Sequence, residues 1–261
     1  VTLSEIRKIL DARNLRPLKQ LGQNFLFDQN TCRLIVDALG APPGTAVVEI
    51  GPGLGALTEL LLDNTYPVTA LEFDRGLALF LTERFAGNRA FHLIEGDALE
   101  TLSQVKDQSW VIGNLPYNIS TPLLMTLVRM KPAAQTCVFT LQKEIGLRLT
   151  AQPRTKDYGA VTVFLQTFYK IEVVRVLSSK IFYPEPQVSS AVLKFTSLHS
   201  QFSVIQRERF HQFVRQGFSQ RRKKLKSLLP ISSEARAEEL SIPEWKDLFL
   251  KTPDFVPTHG R

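Results

Sequence analysis

The chain has 261 residues, 44% hydrophobic and 22% charged, with a formal net charge of +7. Apolar residues spread along its length exclude wholesale disorder, and that length suits an α/β domain with a smaller one appended. No apolar run approaches the ~20 residues of a membrane helix, and the N-terminus lacks a signal-peptide layout, so a soluble, unexported protein is expected.

In chain order, a basic and polar lead-in, Lys19 to Asn24, precedes a helical pattern from Thr31 to Leu39. From Thr45 to Phe195, β-rich apolar runs alternate with helical patterns, which points to a largely parallel sheet flanked by helices. The strands expected are Thr45 to Ile50, Pro67 to Glu72, Ala90 to Ile94, Ser109 to Gly113 and Gln135 to Leu141, with Ile171 to Leu177 and Ser190 to Phe195 as two more. Between Gly159 and Phe168 the pattern is ambiguous: Val161, Val163 and Leu165 alternate as in a strand, while Phe164 and Phe168 sit at helical spacing. Cys32 and Cys137 are far apart and lack metal-ligand spacing, so both are expected as core thiols in a reducing compartment, with neither a disulfide nor a zinc site.

Composition turns polar between Thr196 and Gln201, and charge-rich helical patterns follow. The expected division is an α/β domain over residues 1–198, with 1–44 as its lead-in, and a helical domain over 199–261. Arg207, Arg209, Arg215, Arg221, Arg222, Lys223, Lys224 and Lys226 crowd the start of the second domain, opposed there only by Glu208. Such clustering favours a polyanionic partner.

The run Val47-Val48-Glu49-Ile50-Gly51-Pro52-Gly53-Leu54-Gly55-Ala56 reads as a buried strand, a glycine-rich turn and a helix start. Glycines such as Gly51 and Gly53 let a ligand approach the backbone, and free amides at the helix start favour anionic groups. Glu72 closes the next strand, where a carboxylate accepts the hydroxyls of a ribose. Gly51, Gly53 and Ala56 also satisfy the dinucleotide fingerprint G-x-G-x-x-A, so this loop alone leaves a nicotinamide-dependent dehydrogenase open. Two later turns favour a methyl donor: Gly96-Asp97-Ala98 after the third strand and Asn114-Leu115-Pro116-Tyr117 after the fourth. Asp97 alone would be a helix cap; in this series it is a candidate contact for the adenine amine of a cofactor.

The segment Asn114 to Pro122 ends a strand and opens a helix, with Ser120 or Thr121 as the expected cap. An exocyclic adenine nitrogen must free its lone pair from the ring before it attacks a sulfonium methyl. The Asn114 side-chain carbonyl and a backbone carbonyl at Leu115 or Pro116 are candidate acceptors for its two N–H groups, and Tyr117 a stacking face for a base removed from its helix. No general base is required. Phe182, in Phe182-Tyr183-Pro184-Glu185-Pro186-Gln187-Val188, is a candidate second stacking face or a loop anchor.

With these motifs in order, together with Leu21-Gly22-Gln23-Asn24-Phe25-Leu26, Leu141-Gln142-Lys143-Glu144 and Gln220-Arg221-Arg222-Lys223, the chain resembles the KsgA-type family of small-subunit rRNA adenine dimethyltransferases almost end to end. The resemblance implies a class I (Rossmann-like) S-adenosylmethionine-dependent methyltransferase sheet of seven strands, one antiparallel, followed by a small helical RNA-binding domain. It also implies that Gly159 to Phe168 is helical. By matched position, Asn24, Leu26, Gly51, Glu72, Asp97 and Asn114 would touch S-adenosylmethionine, and Tyr117 and Phe182 would hold the target base. The implied substrate is a pair of adjacent adenosines in the 3′-terminal hairpin loop of small-subunit (16S) rRNA, as RNA or in a pre-30S-type particle. Each would be dimethylated at N6 by a monomeric cytoplasmic enzyme without a metal, as part of ribosome biogenesis. Gln187, Lys224, Ser227 and Leu228 depart from the family's usual Lys, Thr, Asn and Ser, all in segments assigned to RNA contact. Two other readings stay open, a resistance-type enzyme acting on large-subunit rRNA and a non-catalytic assembly factor on the same fold.

Overall fold

A computed structural model describes residues 1–18, 21–116, 119–130, 134–200 and 202–256. The elements in order are α1 (Leu3–Ala12), β1 (Phe25–Leu26), α2 (Gln29–Leu39), β2 (Val47–Ile50), α3 (Ala56–Asp63), β3 (Val68–Glu72), α4 (Arg75–Arg84), β4 (Phe91–Glu95), α5 (Ala98–Thr101), β5 (Trp110–Asn114) and α6 (Ser120–Arg129). They continue with β6 (Thr136–Gln142), α7 (Lys143–Leu149), α8 (Ala160–Phe168), β7 (Tyr169–Leu177), β8 (Phe182–Tyr183), β9 (Ser190–Ser197), α9 (Val204–Gly217) and α10 (Ile242–Leu250). All seven strands read from the sequence are present, with ends within two residues of those expected. The chain divides into two compact units, Val1–Lys143 with Glu172–Phe195, and Glu144–Ile171 with Thr196–Arg261.

In the first unit the strands lie in the order β4-β3-β2-β5-β6-β9-β7. The pairs β4–β3, β3–β2, β2–β5 and β5–β6 are parallel, with Val48 opposite both Thr69 and Val111. All four residues of β2 are buried. A strand covered on both faces by helices reads as a continuous apolar run, which makes the charged Glu49 within it conspicuous. Strand order reverses between β2 and β5, with β3 and β4 to one side and β6 to the other, and ligands of open α/β sheets lie at the carboxyl ends of the strands flanking such a point.

Helix α2 shows why the local sequence folds as it does. Asp28 caps it by accepting from the Thr31 amide at 2.7 Å, and Gly40 ends it in the left-handed region. Cys32, Ile35, Val36 and Leu39, on one helical face, pack into a core with Val47, Leu61, Ile112 and Val138. Both cysteines are buried and free; burial pushes the Cys32 thiol up to about 12 and Cys137 higher still.

In the second unit the core is aromatic. Phe168 of α8 lies 6.2 Å from Phe210 of α9, which lies 5.3 Å from Phe249 of α10, and Phe213 meets Phe255 edge-on at 5.1 Å. Residues Gly159 to Phe168 are helical, as the resemblance implied and the bare pattern left undecided. The observed units also differ from a single division at 198/199. Phe164 stacks on Phe210, Phe168 meets it edge-on, and the Tyr158 hydroxyl donates to the Leu240 carbonyl at 2.8 Å, so the earlier segment groups with residues after Thr196. A second correction concerns α6: neither Ser120 nor Thr121 caps it. Ile119 is the N-cap residue without a side-chain bond, while the Ser120 hydroxyl donates backward to the Pro116 carbonyl at 3.1 Å. No helix among the described residues is long and apolar enough to cross a membrane.

Candidate active site at the carboxyl ends of the central strands

A cleft of about 240 Å³ lies in the first unit, lined by the ends of β2, β3, β4 and β5 and by the segment before β1. Asn24, Gly51, Gly53, Glu72, Asp97, Asn114, Leu115 and Pro116 all line it. The turn after β2 takes φ +67° at Gly51 and φ +59° at Gly53, values that strain any L side chain. A Cβ on Gly53 would also lie 3.1 Å from the Phe25 ring, so glycine keeps the backbone open there.

Glu72 is clamped by its neighbours. The Gly53 amide donates to Oε2 at 3.1 Å and the Asp74 amide to Oε1 at 2.9 Å. A carboxylate offers about four acceptor positions, and these amides do not use all of them. Burial pushes the Glu72 carboxyl up to about 7, against the pull of these amides. Deeper in the same cleft, Glu49 is fully buried and accepts from the Thr58 hydroxyl at 2.6 Å. Burial raises it to about 7 as well, and the negative charge of Glu72 acts in the same direction.

That raised value gives a signed prediction. The folded-state pKa of Glu49 exceeds the ordinary 4.5, so stability falls as pH rises from 4.5 through 7, and above that the penalty is fully present, on the order of 3 kcal/mol. Glu49→Gln keeps an acceptor for Thr58 and removes the charge. Its Tm should exceed wild type by about 4 °C or more at pH 8 and match it near pH 5; a variant less stable than wild type at pH 8 in thermal melts contradicts this assignment.

Asp97 serves two purposes. It is the N-cap of α5, its Oδ1 accepting from the Leu99 amide at 2.8 Å, and it also forms part of the cleft wall. Across the cleft, Asn114 Nδ2 donates to the Asn24 carbonyl at 2.8 Å, and Asn24 Nδ2 to the Gly22 carbonyl at 3.0 Å. Only the NH₂ end of a carboxamide can face a carbonyl, so Oδ1 of Asn114 is left as that side chain's acceptor. The Pro116 carbonyl accepts from both the Ser120 hydroxyl and the Ile119 amide, at 3.1 and 3.3 Å, which occupies its two lone pairs. Of the two backbone acceptors considered from sequence, the Leu115 carbonyl is the one that accepts no hydrogen bond among the described residues.

Two expected site residues are not brought to the cleft wall. Leu26 and Phe182 face each other in the short antiparallel ribbon of β1 and β8, are almost wholly buried, and pack in the core with Ile35 and Val192. In this structure Phe182 is the loop anchor rather than an open stacking face. Tyr117 lies outside the described residues, as does Lys19 of the lead-in. Sequence reading passed over Phe73, a 58% exposed aromatic on the cleft wall directly after Glu72. An aromatic in an otherwise polar turn after the ribose-binding candidate was the available signal.

In the second unit, the basic stretch divides by function. Arg209 donates to the carbonyls of Pro253 and Phe255, and Arg221 to those of Lys156 and Tyr158, with Glu238 3.6 Å away. Lys224 and Lys226 both pair with Glu234, holding its carboxyl down at about 2. Arg207 donates to the Phe202 carbonyl at 3.1 Å. Arg215, Arg222 and Lys223 are exposed and form no ion pair among the described residues.

Strand order, switch-point cleft and clamped carboxylate define a class I methyltransferase, the fold class whose methyl donor is S-adenosylmethionine. A family model described as ribosomal RNA adenine dimethylase matches residues 14–244. The chain is 39% identical over 245 residues to a Chlorobium chlorochromatii protein named ribosomal RNA small subunit methyltransferase A, covering 88% of this chain and 92% of that one. It is 40% identical over 243 residues to a Nitrosospira multiformis protein of the same name, covering 88% and 93%. The chain belongs to the ribosomal RNA adenine dimethylase family. Among solved structures, a dimethyladenosine transferase from Plasmodium falciparum aligns with TM-score 0.77 and 22% identity over 88% of this chain and 98% of that one. The 23S rRNA methyltransferase ErmE aligns with TM-score 0.67 and 24% identity over 87% and 99%. At these identities the likeness is one of fold.

Proposed function

We propose that this enzyme dimethylates N6 of two adjacent adenosines in the 3′-terminal hairpin loop of small-subunit rRNA, using S-adenosylmethionine. The names of the curated relatives point to the small subunit. The observation that carries the chemistry is the anchored Asn114 amide, which leaves Oδ1 and the Leu115 carbonyl as acceptors at the cleft.

The cleft fits the donor: Glu72 keeps acceptor capacity for ribose hydroxyls, Phe73 offers an apolar face for adenine, and Asp97 retains an oxygen for the adenine amine. Asn24, Gly51 and Gly53 border the remainder. When bound, S-adenosylmethionine supplies an electrophilic methyl group on a sulfonium. Asn114 Oδ1 and the Leu115 carbonyl each accept an N–H of the target amine, which favours pyramidal nitrogen and frees its lone pair. Tyr117 stacks on the flipped base. The proton leaves the nitrogen after transfer, so these residues position and polarise without acting as a base.

RNA contact is assigned to the free cations of the second unit. Arg222→Ala combined with Lys223→Ala should leave Tm unchanged and lower the slope of log K against log salt by about 2, since each phosphate contact releases condensed counterions. Arg221→Ala should instead lower Tm, because its guanidinium holds the backbone at Lys156 and Tyr158. Titrations of RNA between 50 and 200 mM salt read the slope, and an unchanged slope removes Arg222 and Lys223 from the interface.

The functional reading itself is tested by supplying methyl-labelled donor with unmethylated small-subunit particles and, separately, large-subunit RNA. Label confined to small-subunit RNA is expected; label in large-subunit RNA places the enzyme in the resistance-type branch.

A further inference from the structure

The segment before β1 reaches the cleft through a side chain with no assigned role. Gln23 Oε1 accepts from the Leu18 amide at 2.8 Å, and its Nε2 donates to Asp74 Oδ2 at 3.0 Å. Both ends of the carboxamide are therefore committed. Asp74 is a junction: its Oδ1 caps α4 by accepting from the Gly76 and Leu77 amides at 2.8 and 3.1 Å, and its own amide holds Glu72 Oε1. The next residue along the segment, Asn24, supplies the carbonyl that orients the Asn114 amide. The segment also lies tight against the start of α4, where a Cβ on Gly76 would come within 2.5 Å of Leu15 Cδ2.

We propose that Gln23 is a positioning residue for methyl transfer: its carboxamide clasps the segment before β1 to Asp74, and so sets both the Asn24–Asn114 contact and the Glu72 clamp. Its carboxamide is spent on the Leu18 amide and Asp74 Oδ2, so it acts through those partners even though Gln23 borders the cleft. It acts because one short loop carries the Gln23 clasp and the Asn24 carbonyl side by side, while Asp74 receives the clasp and holds the ribose-binding carboxylate. The inference rests on the functional reading above for its kinetic consequence, but its binding consequence does not need the RNA substrate.

The test uses the full chain with Gln23→Leu and Gln23→Glu. Leucine is close in size and cannot bond at either end. Glutamate still accepts from Leu18 but sets a second carboxylate against Asp74, and two carboxyls so placed share a proton only as pH falls. For Gln23→Leu, kcat at saturating donor should fall and the Kd for S-adenosylhomocysteine should rise, each about tenfold, with KM for RNA unchanged. For Gln23→Glu, S-adenosylhomocysteine affinity relative to wild type should recover by about tenfold between pH 8.5 and pH 5.5. A role confined to folding would lower Tm yet leave kcat and Kd of the folded protein at wild-type values in both variants, and that result overturns the proposal. So does a Gln23→Glu to wild-type affinity ratio that stays flat with pH. If the wild type transfers no methyl to small-subunit RNA, the functional reading fails, and the calorimetric ratios still decide the clasp.

Discussion

Asn114→Ala should lower the single-turnover rate of methyl transfer by about 10³-fold while RNA affinity stays within about twofold of wild type. The substitution removes Oδ1, one of the two acceptors proposed for the target amine, and the Leu115 carbonyl alone cannot polarise both of its N–H groups. It also deletes the bond from Nδ2 to the Asn24 carbonyl, a net stability term of about 1 kcal/mol, so a small loss in Tm should accompany the kinetic effect without explaining it. Asn114→Asp sharpens the reading. It restores an acceptor but sets a carboxylate oxygen against the Asn24 carbonyl, so it should remain well below wild type. Wild-type turnover in purified Asn114→Ala removes Asn114 from the chemistry.

Glu72→Ala should raise the Kd for S-adenosylhomocysteine by about 100-fold, the scale of losing charge-assisted bonds to two ribose hydroxyls. It should affect kcat at saturating donor far less. The pH dependence follows from burial. Burial pushes the Glu72 carboxyl of the free protein up to about 7 from the ordinary 4.5, and in the proposed role the ionised form accepts from both hydroxyls. Wild-type affinity should therefore be full above pH 7 and fall as pH drops below it, and Glu72→Gln should lack that dependence. Calorimetry from pH 8.5 to 5.5 reads both. A pH-independent wild type, or an unchanged Kd in Glu72→Ala, contradicts the role of this carboxylate.

The sheet was legible because its strands are apolar runs separated by turns, and Val47 to Ile50 followed by Gly51 has few other folds to adopt. The cleft was legible for the same reason: Glu72 and Asn114 end strands, Gly51 and Asp97 lie one and two residues past strand ends, and parallel strands bring their carboxyl ends to one edge. What escaped was set by contacts distant in sequence. Helix α1 carries a capping box, with the Thr2 amide donating to Glu5 at 2.6 Å, but only Ile6 and Leu10 are buried along it, too sparse an apolar stripe to mark a helix by pattern. The boundary at 198/199 missed the aromatic packing that joins Phe164 and Phe168 to Phe210, since composition records no partner. Phe182 reads as a base platform by motif, yet its ring faces the Leu26 core. Pattern alone cannot say toward which side a two-residue strand turns its ring. The basic stretch looked uniform, and only backbone geometry separates Arg221, a bracket for the Lys156 and Tyr158 carbonyls, from Arg222 and Lys223.

The most direct measurement is the identity of the product nucleoside. Unmethylated small-subunit particles would be incubated with the enzyme and labelled S-adenosylmethionine, the 3′-terminal hairpin fragment isolated and digested, and its labelled nucleosides weighed by mass spectrometry. N6,N6-dimethyladenosine at two adjacent positions of that fragment is the expected result. Label at another nucleoside or outside the hairpin, or no label from a protein that binds the donor, would contradict the assignment of Asn114, Leu115 and the Glu72 cleft to adenosine dimethylation.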